Sequence, residues 1–298
     1  MHGSMRVIFV SVYNLNGLER AKATGFTPLI YPNEDQRRRE LQGLECIYKL
    51  IKYGDISQDS LIGLFSDSFT KRTGLTDHAV REVIDKNPGR DIYVFSPSQY
   101  NRLIFFNVWD QAEFYHEGII DAAKASGIVS EKETKNRSEY SIWSYCNYWI
   151  ARKQIFLDLV ETMISAEHRL SALGLAVKNT FHRSPVRDKW SGIEKDQNCL
   201  LPFIIERITS VYLSRNDELN SYYWEDPRSP MNQVEKIDWL LDVVGEPLRK
   251  SLHNYSQLHE TSQNHTKQSF YDSLWDLSES NPSNHLIPGS IDRLRSLF

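Results

Sequence analysis

SLIGLFSDSFTKRTGLTDHAVREVIDKNPGRDIYVFSP, Ser60 to Pro97, decides the fold. Its two ends, SLIGLFS and DIYVFSP, are short apolar runs of the kind that form strands buried on both faces. Between them Thr76 stands as a cap before apolar positions that recur at helical spacing to Ile84, and NPG at Asn87 to Gly89 ends the helix. Strand, helix, strand in so short a span is a βαβ unit. It predicts an α/β chain built on a mainly parallel sheet flanked by helices.

Working outward, RVIFVSVY (Arg6 to Tyr13) and TPLIYP (Thr27 to Pro32) read as two further buried strands joined by a connector. From Gln36 to Tyr53, Leu41, Leu44, Ile47, Tyr48 and Ile51 recur at helical spacing, with Asn33 and Asp35 available as caps. Another helix is expected over Gln111 to Ala125. Beyond the polar stretch GIVSEKETKNRSEY the character changes, and Lys153 to Leu173 is a long amphipathic helix with Phe156, Leu159, Val160, Met163, Ile164 and Leu170 on one side. Leu200 to Leu213 and Val234 to Leu252 are helical by period, so the C-terminal part is mostly helical. The tail from Ser256 is polar, with a weak apolar pattern at Phe270, Leu274 and Leu277; it is either a loosely packed arm or a segment that docks on a partner. The expected division is an α/β domain over 5–215 and a helical extension with a polar tail over 216–298. MHGS before Met5 reads as an expression scar, which puts the start of the natural chain at Met5.

Composition narrows the function classes. A chain of 298 residues with 35 Lys and Arg against 39 Asp and Glu has no strongly basic face, which argues against a nucleic-acid groove. Cys46, Cys146 and Cys199 are far apart and show neither CxxC nor zinc-ligand spacing, so a reducing compartment is expected. No apolar run approaches the length of a membrane span, and no signal peptide opens the chain. Walker A, GxGxxG, GxSxG, HExxH and EF-hand patterns are all absent, so any chemistry rests on dispersed constellations.

The densest constellation is NVWDQAEFYHEG. On one helix Trp109, Glu113 and His116 share a face: Trp109 could stack on a base or sugar ring, Asp110 and Glu113 could bind hydroxyls or act as a base, and His116 could hold phosphate or move a proton. The plainer alternative is a helix N-terminus with Asp110 in its first turn and Trp109 in the core. Asp91, just before its strand, is either a ligand contact or the cap of the NPGR turn; Ser96 at the far end of the same strand is an equal candidate. Arg37, Arg38 and Arg39 at a helix start suit a diphosphate, or are simply solvated. The Glu167 and His168 pair reads as solvent-exposed, whereas Glu206 and Arg207 in PFIIERITSVYL are charges in an apolar helix that must be paired or used.

The succession YPNEDQRRRELQGLECIYKL, LIGLFSDSF, DIYVFSP, NVWDQAEFYH, SYCNYWIARKQIF and PFIIERITSVYL resembles bacterial glycosyltransferase-like proteins encoded with capsule and O-antigen genes, over most of Met5 to Leu213. The resemblance implies a GT-A-like enzyme that moves a sugar from a UDP- or GDP-linked donor to a glycan or lipid-linked acceptor in surface polysaccharide synthesis. It implies a cytoplasmic protein that works at the inner face of the membrane. It also implies a donor diphosphate held through Mn or Mg by an Asp-x-Asp motif. That motif is missing: Tyr93 stands two residues after Asp91, and SDS at Ser66 to Ser68 supplies Asp67 alone. The metal ligands are therefore unassigned. The alternative is a non-catalytic carbohydrate or nucleotide-sugar binding protein that keeps the transferase fold.

Glycosyl transfer needs a clamp on the leaving diphosphate, stabilisation of an oxocarbenium-like centre and, for inversion, a base near the acceptor hydroxyl. The expected catalytic set is Glu113, Asp110 and His116, with Glu113 or Asp110 as base. Donor contacts are expected from Arg38, Arg39, Asp91, Ser96, Asn107, Trp109 and Arg207. Acceptor contacts are expected from Tyr145, Asn147, Trp149 and Glu206.

Overall fold

A computed structural model describes residues 6–12, 15–31, 37–97, 107–135, 138, 142–176, 179–180 and 198–225. The expected helix over Val234 to Leu252 and the tail from Ser256 lie outside the described residues, as do Asn33 and Asp35. Six strands form one sheet: β1 (Arg6–Val12), β2 (Thr27–Ile30), β3 (Leu61–Phe65), β4 (Ile92–Val94), β5 (Trp149–Arg152) and β8 (Ser221–Tyr223), in the order β2-β1-β3-β5-β4-β8. A two-stranded pair, β6 (Asn179–Thr180) with β7 (Asn198–Cys199), stands apart.

The fold is α/β, and the sheet is mixed. β1 pairs parallel with β2 and β3, and β4 with β8, whereas β5 runs antiparallel to both its neighbours, β3 and β4. The reversal corrects the expectation of a mainly parallel sheet. Its cause is local: β4 ends at one edge, residues 142–148 lie at that same edge, and the chain re-enters the sheet heading back. Nothing in the composition of WIAR reveals a direction. β8 also carries the sheet beyond residue 215, and the compact unit that contains it extends to Trp224.

The helices are α1 (Leu15–Thr24), α2 (Glu40–Tyr53), α3 (Phe69–Thr73), α4 (Asp77–Lys86), α5 (Val108–Tyr115), α6 (Ile119–Ala125), α7 (Glu131–Lys135), α8 (Lys153–Ala172) and α9 (Leu200–Arg215). α1 occupies the stretch expected to be a connector: its run LERAKAT buries little beyond Ala21, so no apolar period announces it. α4 is the expected helix, with Thr76 Oγ1 accepting from the Ala79 N–H at 3.3 Å. α2 buries the five apolar positions that its spacing marked, and Gly43 lets it approach the sheet: a Cβ there would stand 2.7 Å from Leu64 and 2.8 Å from Tyr31.

Alternation along β3 sends Leu64 toward α2 and Phe65 to the opposite face, where Phe26, Phe65, Phe69, Phe95 and Tyr148 form an aromatic cluster. On the first face α8 and α9 join α2 in a helical layer. α9 is buried nearly all round, which explains its near-continuous apolar sequence. No helix among the described residues is long and apolar enough to cross a membrane.

Candidate functional site

Ligands of open α/β sheets bind outside the carboxyl ends of the strands, where the strand order changes direction. Here β1 leads to β2 on one side, and β2 leads back past β1 to β3, so the switch lies between β1 and β3. The residues that follow β3 are Ser66, Asp67 and Ser68. The Asp67 carboxylate pairs with the Arg20 guanidinium of α1, and Ser66 Oγ lies 2.7 Å from the Tyr148 hydroxyl. Because β5 is reversed, its entry residues Tyr145 to Tyr148 stand at this same edge.

Two helices add charge. Arg39 caps the N-terminus of α2 with φ 42° and ψ −123°, the only non-glycine positive φ among the described residues, and its guanidinium lies 5.1 Å over the Phe203 ring of α9. Such backbone strain persists only where surrounding structure holds it, often at functional sites. From α3, Arg72 reaches Cys146, Nη1 to Sγ 3.6 Å. Burial pushes the Cys146 thiol up to about 12 and raises the Tyr148 phenol as well, so neither is charged at neutral pH. The ionisable group that matters is then Glu206, on which Arg207, Glu40, Arg39 and Arg72 act electrostatically.

Glu206 is one-fifth exposed, 21%, with Arg207 Nη1 3.8 Å away. Burial raises its carboxyl above the ordinary value, against the pull of Arg207, Arg39 and Arg72. A partly exposed carboxylate whose pKa is raised is a competent general base. The cations beside it suit a developing anion.

The α5 constellation is built differently. Asn107 is an N-cap: its Oδ1 accepts from the N–H groups of Trp109 and Asp110 at 2.8 and 2.9 Å, and its Nδ2 donates to the Thr134 carbonyl at 2.9 Å. Trp109 is buried in the core. Asp110 sits half-buried in the first turn. Glu113 reaches forward to cap α6, accepting from the Gly118 N–H at 2.7 Å and the Ile120 N–H at 3.0 Å. That cap, with Gly118 at φ 84°, splits the single helix expected over Gln111 to Ala125. His116 is buried and stacks on Phe203, ring centroids 3.5 Å apart. Trp109, Glu113 and His116 thus present no joint ligand face, and the assignment of Glu113 as base gives way to a capping role.

Other expected contacts also divide. Arg207 is 2% exposed, and its Nε donates to the Val108 carbonyl at 3.0 Å, Nη1 to the Phe203 carbonyl at 2.7 Å and Nη2 to Gln111 Oε1 at 2.6 Å. It ties α9 to α5, burial lowers its pKa, and it is not placed as a donor clamp. Arg38 is taken by Glu167, at 2.6 and 2.7 Å, and by Glu45 at 2.9 Å. That pairing also corrects the view of Glu167 as merely solvated.

Asp91 lies at the opposite edge of the sheet. It accepts from the Asn220 N–H at 3.0 Å and stands 3.3 Å from Arg152, so its carboxylate binds the turn before β8 and the end of β5. Ser96, Tyr145 and Asn147 do stand at the carboxyl edge, where the Tyr145 hydroxyl donates to the Pro97 carbonyl. Trp149 points into the layer beneath, its ring 5.5 Å from Phe156.

Among the described residues no group of three or more His, Cys, Asp and Glu is arranged to hold a metal ion. Comparison with known proteins adds no relative: no family model, no curated protein and no solved structure matches the chain.

Proposed function

We propose that the chain is a GT-A-like glycosyltransferase that moves a sugar from a nucleotide-diphospho-sugar to a glycan or lipid-linked acceptor. It would serve surface polysaccharide synthesis in the cytoplasm, at the inner face of the membrane. One observation carries this reading: Arg39 and Arg72 act electrostatically on the partly exposed Glu206 carboxylate, while Asp67 follows β3 at the carboxyl edge of the sheet beside the strand-order switch. That set matches the chemical needs of glycosyl transfer. The acceptor hydroxyl attacks the anomeric carbon, the bond from that carbon to the diphosphate oxygen breaks, and the hydroxyl proton passes to Glu206. The nucleoside diphosphate leaves with its added charge facing Arg39 and Arg72. A divalent ion is a poor fit to the donor set, because Asp67 is the single carboxylate in the turn after β3 and Arg20 already faces it; no step is assigned to a metal.

The test is a thermal-shift screen of UDP- and GDP-sugars with and without manganese or magnesium. A ligand at a hundredfold excess over its Kd should raise Tm by about 5–10 °C for a unit of this size. If no nucleotide sugar shifts the transition under either condition, the reading is lost. The pairing of Asp67 with Arg20 favours a second reading, a nucleotide-sugar binding protein without chemistry. Donor binding with no donor hydrolysis and no transfer would establish it.

A further inference from the structure

Where β4 and β5 leave the sheet, their register continues by two residues. Val94 is opposite Trp149, and the Phe95 N–H donates to the Tyr148 carbonyl at 2.7 Å, which carries Ser96 to a position opposite Asn147. Opposed residues of an antiparallel pair project to the same face. Both side chains are buried, at 0% and 5% exposure, and neither Ser96 Oγ nor Asn147 Oδ1 has a hydrogen-bond partner.

An unpaired buried polar atom destabilises the fold, and an alanine or leucine would occupy the same space without that penalty. The Ser210 and Ser66 hydroxyls are satisfied: Ser210 Oγ accepts from the Ser144 N–H and donates to its carbonyl, both at 2.7 Å, and Ser66 meets Tyr148. Trp149 Nε1 and Thr209 Oγ1 are also buried without partners, but Ser96 and Asn147 stand opposite each other in register at the edge where a sheet of this kind meets its ligands.

We propose that Ser96 and Asn147 form a subsite that recognises one hydroxyl of a neutral acceptor sugar. A sugar hydroxyl is both donor and acceptor: it gives its proton to Asn147 Oδ1 and takes one from Ser96 Oγ. The subsite is uncharged, which suits a saccharide and not the diphosphate of a donor. Naming the ligand as the acceptor rests on the transferase reading; the subsite itself rests on the two buried atoms.

The experiment compares the whole chain with Ser96→Ala, Asn147→Leu and the double variant, in three measurements. Tm of the unliganded protein should hold or rise. The shift produced by nucleotide sugars should be unchanged. Saturation-transfer NMR signals from methyl glycosides of hexoses and N-acetylhexosamines should be seen with the parent protein and lost in the variants, with acceptor KM raised at least about tenfold. A fall in Tm on Ser96→Ala, which deletes a single oxygen, overturns the proposal, since the hydroxyl would then be bonded in the folded state. Equal glycoside signals in parent and variants, or none in the parent, overturn it too. If nucleotide sugars fail to bind while glycoside signals are lost in the variants, the transferase reading falls and the subsite stands.

Discussion

The α5–α6 segment and the carboxyl edge of the sheet both gather acids, bases and aromatics, but they do so for opposite ends. In Asn107 to Ile120 the polar groups are close in sequence, and most of their capacity is turned inward: Asn107 caps α5, Glu113 caps α6, and Arg207 holds Gln111 and the Val108 carbonyl. At the sheet edge the groups come from α1, α2, α3, α9 and three strands. There Glu206 keeps a partly exposed carboxylate, while Ser96 and Asn147 keep buried atoms without partners. Polar density along a chain measures how much local capping a segment needs, whereas convergence from distant segments marks a place arranged for something else. The second is the better sign of function.

Mutations can break or sharpen that contrast. The largest expected effect is at Glu206: replacement by Gln should slow transfer by about 10²–10⁴-fold, measured with saturating donor and acceptor. Because burial holds this carboxyl above its ordinary value, its favourable contribution to stability exists in acid and is lost as pH rises through the raised value. Glu206→Gln should therefore melt higher than the parent at neutral pH, with the gap closing below about pH 4. Parent activity should climb with pH through the same range.

Next is Arg207→Met, which removes three hydrogen bonds from a buried cation and should cost about 3–5 kcal/mol in urea denaturation. The nucleotide-sugar shift should survive in the folded fraction; its selective loss would move Arg207 into the site. Arg39→Met should weaken nucleotide-sugar binding by about 10- to 100-fold in calorimetry with little loss of stability, since methionine keeps the aliphatic stem and leaves the backbone conformation as it was. The smallest effect is Glu113→Gln, which keeps one capping oxygen and should cost about 1 kcal/mol while leaving transfer intact. A Glu113→Gln protein that is stable but inactive would reverse the assignment of the two regions.

Much of the fold was legible because it repeats. The five buried positions of α2, the Thr76 cap and the apolar face of α8 follow from period and capping alone. On that face Ile164 is only half-buried. α1 was hidden because small and charged residues leave no stripe to see, and β5 because four residues in an aromatic stretch carry no sign of direction. Of the site, Arg39, Glu206, Ser96 and Asn147 were visible as residue types in suspicious surroundings. Arg20 and Asp67 lie 47 positions apart and meet only because α1 sets out from the edge at which β3 ends. No window of sequence contains that pairing.

The reversed strand also governs when the sheet can exist. β3 and β4 do not pair with each other; each reaches the other only through β5, which is synthesised after both. Until Trp149 to Arg152 leave the ribosome, the chain can hold β2-β1-β3 as one parallel patch while β4 waits unpaired, with β8 later still. Joining the two halves of the sheet is thus a late event set by four residues, and the site is completed later still, when α9 brings Glu206 to it.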